Sequence, residues 1–231
     1  MVSTKKHQYK ILAFLLVLVV AATVKLNFSN SLIFERFIGN LNPLITILFS
    51  AILGFLLLSL LLSKDWFSIY QKKNHNALLR YAGIVLLFVS VAIYVDLKIG
   101  FPTDMNILFP ESLLFYPIIA FFVEIVFHVL PLSFLLFVTT FILKKVPYNK
   151  LLWVCILIVA MLEPTYQAIY MDSIPNWAIV VIWINLYVFN ITQLIVFKRY
   201  DFISMFALRL VYYMFWHIIW GSMRLELIYN N

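Results

Sequence analysis

Long runs of residues with almost no charge constrain this chain more than any other feature. Seven apolar segments follow one another, at about 9–28, 42–63, 78–97, 111–143, 148–171, 175–197 and 202–229. At about 1.5 Å per residue, a run of roughly 18 crosses a hydrocarbon layer of about 30 Å. Inside lipid a backbone satisfies its own polar groups only as a helix or a closed barrel, and barrel strands alternate apolar and polar side chains, which these runs do not. The expected fold class is therefore all-α, a polytopic transmembrane helix bundle of seven spans. Composition agrees: 65% of the 231 residues are hydrophobic and 12% charged, more apolar surface than a soluble core of this size hides from water.

The fourth segment is longer than one straight crossing needs and contains Pro131. It reads as one kinked helix or, split in two, as an eighth span. Charge separates the alternatives. With a single crossing, Lys5, Lys6, Lys10, Lys64, Lys72, Lys73, Arg80, Lys144, Lys145, Lys150, Lys198 and Arg199 all fall on one side, which the positive-inside bias makes the cytoplasm. Glu35, Asp104, Glu111, Asp172 and Glu226 fall on the other. This predicts a multi-pass protein of the cell membrane, N-terminus cytoplasmic and C-terminus outside. The first lysines and 11–22 resemble a signal peptide, but the apolar run continues past Ala22 and reads as an uncleaved span. These flanks account for the net charge of +7 without nucleic acid; membrane lipid is the expected partner. Without a long linker or repeat, 1–231 is expected to form a single membrane domain, with three spans in 1–110 and a four-span polar core in 111–231.

Polar groups at membrane depth are the informative residues, since a charge at the bilayer centre costs at least about 2.5–3.5 kcal/mol. Glu124 and His128, and again Glu163 and Gln167, are four residues apart and so share a helix face. The sixth segment offers Asn185, Asn190 and Gln193, and the seventh Arg209, His217 and Arg224. Counting from segment midpoints puts Glu124, Glu163 and His217 roughly 3–5 Å outside the midplane, with His128 and Asn185 within about 2 Å of it. Gln167 falls farther out; Asn190, Gln193 and Arg209 fall farther in. Hydrogen-bonded helix packing explains any one of these groups. Two carboxylates and two histidines in one layer also suit a divalent metal that activates water, or a proton relay.

The segments V-E-I-V-F-H (Val123 to His128), L-E-P-T-Y-Q (Leu162 to Gln167) and W-H-I-I-W-G (Trp216 to Gly221) resemble, in order and spacing, the motifs of the CAAX prenyl protease and bacteriocin-processing family of intramembrane metalloproteases. That family carries E-E-x-x-x-R with Phe before the Arg, then F-x-x-x-H, then H-x-x-x-N or a variant, on successive membrane helices. Phe127 matches the motif phenylalanine and Glu124 the second acid. Val123 stands at the first acid, His128 at the arginine, Glu163 or Gln167 at the second-motif histidine, and Gly221 at the asparagine. The resemblance spans about 111–224. It implies a membrane-embedded metal-dependent protease acting on a peptide or protein, with zinc the expected metal. Glu124 would be general base or ligand in a catalytic set with Glu163 and His217; His128, Glu163 and His217 would bind the metal. Gln167, Asn185, Asn190, Gln193 and Arg209 would supply supporting polar groups. The alternative is a non-catalytic membrane protein, either an inactive relative that binds a peptide or lipid or a proton-coupled carrier, built on the same cluster.

Overall fold

A computed structural model describes residues 4–72, 75–171 and 174–229. Lys73 and Asp172, two of the charges behind the expected orientation, lie outside them. Seven helices are long and apolar enough to cross a membrane: α1 (Lys5–Phe34), α2 (Pro43–Ser63), α3 (Leu78–Ile99), α4 (Ser112–Ile142), α5 (Tyr148–Ile169), α6 (Asn176–Arg199) and α7 (Phe202–Ile228). Among the described residues there is no strand. The chain is an all-helical, multi-pass membrane protein.

Local chemistry sets the helix starts. Asn42 caps α2 by accepting from the Ile45 amide at 3.1 Å, with Pro43 in the first turn where its missing N–H costs nothing. Asp201 caps α7, taking the Ser204 amide on Oδ1 at 2.7 Å. Several hydroxyls bond back to their own helix, as Thr23 does to the Val19 carbonyl at 2.8 Å and Ser50 to the Thr46 carbonyl at 2.9 Å, so those groups need no solvent.

Helix α4 is the most buried span and is continuous through Pro131. An α-helix cannot accept proline in its interior without losing a bond; here the turn before it, Glu124–Val129, is π-helical, and the Leu130 amide reaches back five residues to the Ile125 carbonyl. Thus one crossing, not two, accounts for the segment. Gly54 lets α2 approach this turn, because a Cβ there would lie 2.8 Å from Ile125 Cδ1. A second π-helical stretch, Met214–Trp220, interrupts α7.

The alternating course brings the start of α1 and the α2–α3 and α6–α7 connections to one end. There the 66–71 segment is bound from both sides. Lys198 Nζ donates to the Trp66 carbonyl at 3.1 Å, and the Phe202 and Ile203 amides donate to the Ser68 and Ile69 carbonyls. In return the Ile69 amide donates to Gln8 Oε1 at 2.8 Å and the Gln71 amide to Asp201 Oδ2 at 2.8 Å. At the opposite end the apolar 101–109 connection is partly folded inward: Phe101 and Asn106 are buried while Leu108 and Phe109 stay exposed. The outer surface is dominated by exposed Phe14, Phe49, Leu87 and Phe141, a surface matched to acyl chains.

Candidate functional site: a buried charge network

Four spans deliver polar side chains to one buried centre. From α4 come Glu124 and His128, from α5 Glu163 and Gln167, from α6 Asn190 and Gln193, and from α7 Arg209. All but the half-buried Gln167 are at most 2% exposed.

Arg209 is the hub. Its Nη1 and Nη2 bind Glu163 Oε1 and Oε2, both at 2.9 Å, in the forked geometry a guanidinium offers a carboxylate. Its Nε donates to Glu124 Oε1 at 2.6 Å, and Nη2 also reaches Gln193 Oε1 at 2.8 Å and Asn190 Oδ1 at 3.4 Å. Its flat faces lie near Phe189 and Tyr213, 5.7 and 5.9 Å from the ring centres. Gln193 closes the network by donating to Glu124 Oε1 at 2.5 Å.

The spacing-of-four pairs meet as the helix face predicts. His128 Nδ1 lies 2.6 Å from Glu124 Oε2, and Gln167 Nε2 donates to Glu163 Oε1 at 3.2 Å. The other imidazole nitrogen, Nε2, is buried without a hydrogen-bond partner and faces Glu163 Oε2 at 3.9 Å. His128 therefore stands between the two acids.

Two expected members of the layer, His217 and Asn185, are placed elsewhere. His217 pairs through Nδ1 with Asn106 Oδ1 at 2.9 Å and stacks on Tyr116, ring centres 4.6 Å apart. Asn106 in turn lies so close to residue 221 that a Cβ there would be 2.7 Å from its Nδ2, a physical reason for Gly221. Asn185 donates to the Phe88 carbonyl of α3 at 3.1 Å, a helix-to-helix tie. Asn190 is shared between Arg209 and the Ala160 carbonyl, to which its Nδ2 donates at 3.3 Å.

A second buried ion pair joins α3 to α7, although the sequence points to a polar core within 111–231 alone. Asp96 of α3 binds Arg224 of α7, with Nε to Oδ2 at 2.6 Å and Nη2 to Oδ1 at 2.7 Å, and accepts the Trp220 indole at 2.7 Å and the Phe101 amide at 2.8 Å. Arg224 also donates to the Phe101 and Pro102 carbonyls. The signal is an aspartate near the end of an apolar run together with an arginine in the last span.

The zinc implied by the family resemblance does not fit this arrangement. Each carboxylate oxygen of Glu124 and Glu163 already faces a nitrogen of Arg209, Gln193, Gln167 or His128 within hydrogen-bond distance, leaving His128 Nε2 as the one open donor atom of the cluster. His217, the other expected imidazole ligand, is engaged with Asn106. Among the described residues no three His, Cys, Asp or Glu side chains group as ligands of one ion. Comparison of the chain with protein-family models, with curated proteins and with solved structures finds no match.

Proposed function

We propose that this protein is a proton-coupled membrane carrier whose Glu124–His128–Glu163–Arg209 centre takes up and releases one proton inside the membrane. The charge count of the buried network carries the reading. With both carboxylates ionised, Arg209 cancels one negative charge and leaves one over, and an uncompensated charge in apolar surroundings is costly. A single proton, on His128 or on either acid, brings the centre to neutrality. His128 is in position to pass it, with one ring nitrogen 2.6 Å from Glu124 and the other 3.9 Å from Glu163. The basic residues gathered at one end support a cytoplasmic N-terminus.

The metal-dependent protease that the resemblance implies is the weaker reading. It requires Arg209 to release both acids and water to reach side chains that are 0–2% exposed. The carrier reading is tested in pyranine-loaded liposomes under an imposed pH gradient with potassium and valinomycin present. Wild-type protein is expected to collapse the gradient, and Glu163→Gln to stop it, because Arg209 and Glu124 then balance without a proton. Infrared difference spectra between acid and alkaline pH are expected to lose one protonation signal in His128→Phe. Gradient decay no faster than in protein-free liposomes, together with spectra unchanged by His128→Phe, refutes the proposal.

A further inference from the structure

At the lysine-rich end, the tips of α2 and α4 leave a groove of about 200 Å³ between them, lined by Lys64, Trp66, Phe137, Thr140, Phe141 and Lys144. We infer that this groove binds the head group of an anionic phospholipid, whose acyl chain runs down the aromatic face of α4 below it.

Three features point to that occupant. The first is charge. Lys64 follows the last residue of α2 and Lys144 lies two beyond the last of α4, so both ammonium groups sit where a membrane helix meets the head-group layer. Neither forms an ion pair among the described residues; Lys144 rests over the Phe141 ring, 5.5 Å from its centre. The neighbouring carboxylate, Asp65, is already bound to Lys5 at 3.0 Å. The groove therefore offers two cations and no free acid, which selects a phosphate carrying net negative charge over a zwitterion.

The second feature is a fixed wall. Trp66 stacks on Tyr148 with ring centres 5.7 Å apart, and its carbonyl is held by Lys198. Lys198 in turn lies over both Tyr148 and Phe67, at 5.2 and 5.3 Å. A wall held before binding loses little freedom when a ligand arrives. The third is continuity with lipid. Phe134, Phe137 and Phe141 are spaced three and four apart, share one face of α4, and are 54–70% exposed. The groove's open side thus runs directly into acyl-chain territory, an exit that a soluble anion would not use.

The test is native mass spectrometry of protein released from nanodiscs of phosphatidylcholine doped with phosphatidylglycerol. Retention of phosphatidylglycerol over phosphatidylcholine is expected, and Lys64→Gln/Lys144→Gln should weaken it roughly thirtyfold, about fivefold per lysine. Lys145→Gln/Lys150→Gln, which alters exposed lysines of the same end outside the groove, should change retention less than about threefold. Equal losses in the two double variants mean diffuse attraction and overturn the site. So does the absence of any lipid preference, or displacement of the lipid by inorganic phosphate at equal concentration. Far-ultraviolet circular dichroism of each variant separates a lost site from a lost fold.

Discussion

Replacing Arg209 by methionine keeps most of the side chain's length and removes its charge. The guanidinium bridges Glu124 and Glu163 and bonds Gln193 and Asn190. Its loss leaves two acids in a site at most 2% exposed, and breaking a buried pair by deleting one partner costs about 3–5 kcal/mol. Glu163→Gln is the comparison, since Arg209 keeps Glu124 and gains an amide acceptor; the cost should be about 1.5–3 kcal/mol, that of a charge-assisted hydrogen bond. In Arg209→Met/Glu163→Leu the surplus acid is gone, so the double variant should be more stable than Arg209→Met alone. The assay is unfolding by dodecyl sulfate in mixed micelles, followed by far-ultraviolet circular dichroism. An Arg209→Met variant within about 1 kcal/mol of wild type, or a double variant less stable than Arg209→Met, means that the acids do not depend on Arg209.

Two further outcomes follow from the opposite end of the bundle. Arg224→Met should free the connection it holds through the Phe101 and Pro102 carbonyls; cleavage within 101–109 by added protease should accelerate at least about tenfold, the effect of some 1.4 kcal/mol on local opening. Gly221→Ala drives a methyl to 2.7 Å from Asn106 Nδ2 and should cost about 1–3 kcal/mol by the same unfolding assay, whereas Gly83→Ala, with open space around it, should be neutral or slightly stabilising.

The spans were legible because a lipid-exposed helix leaves its length and its lack of charge directly in the sequence. The i, i+4 pairs were legible for a related reason: Glu124 with His128 and Glu163 with Gln167 depend only on the pitch of one helix. What could not be read was direction around each axis and the reach of each side chain. Arg209 was placed too far in because depth was counted at Cα, while its long side chain carries the guanidinium to acids on two other helices. His217 shared the estimated layer, yet it follows Arg209 by eight residues, about 12 Å along α7, and its partner comes from a connection without periodicity. Asp96 was overlooked for the opposite reason. It sits just before the end of α3, where acids are usually solvated, and only the folded 101–109 connection and Arg224 enclose it.

The two same-helix contacts acquire another meaning when the chain is followed in the order of its synthesis. Glu124 precedes Arg209 by 85 residues and Glu163 precedes it by 46. At ribosomal rates of about 5–20 residues per second, the first acid is made roughly 4–17 seconds before the cation that will neutralise it. During that interval the partner already made and carried on the same helix is His128, and for Glu163 it is Gln167. Each acid thus travels with its own escort, one turn behind it, until the last span arrives.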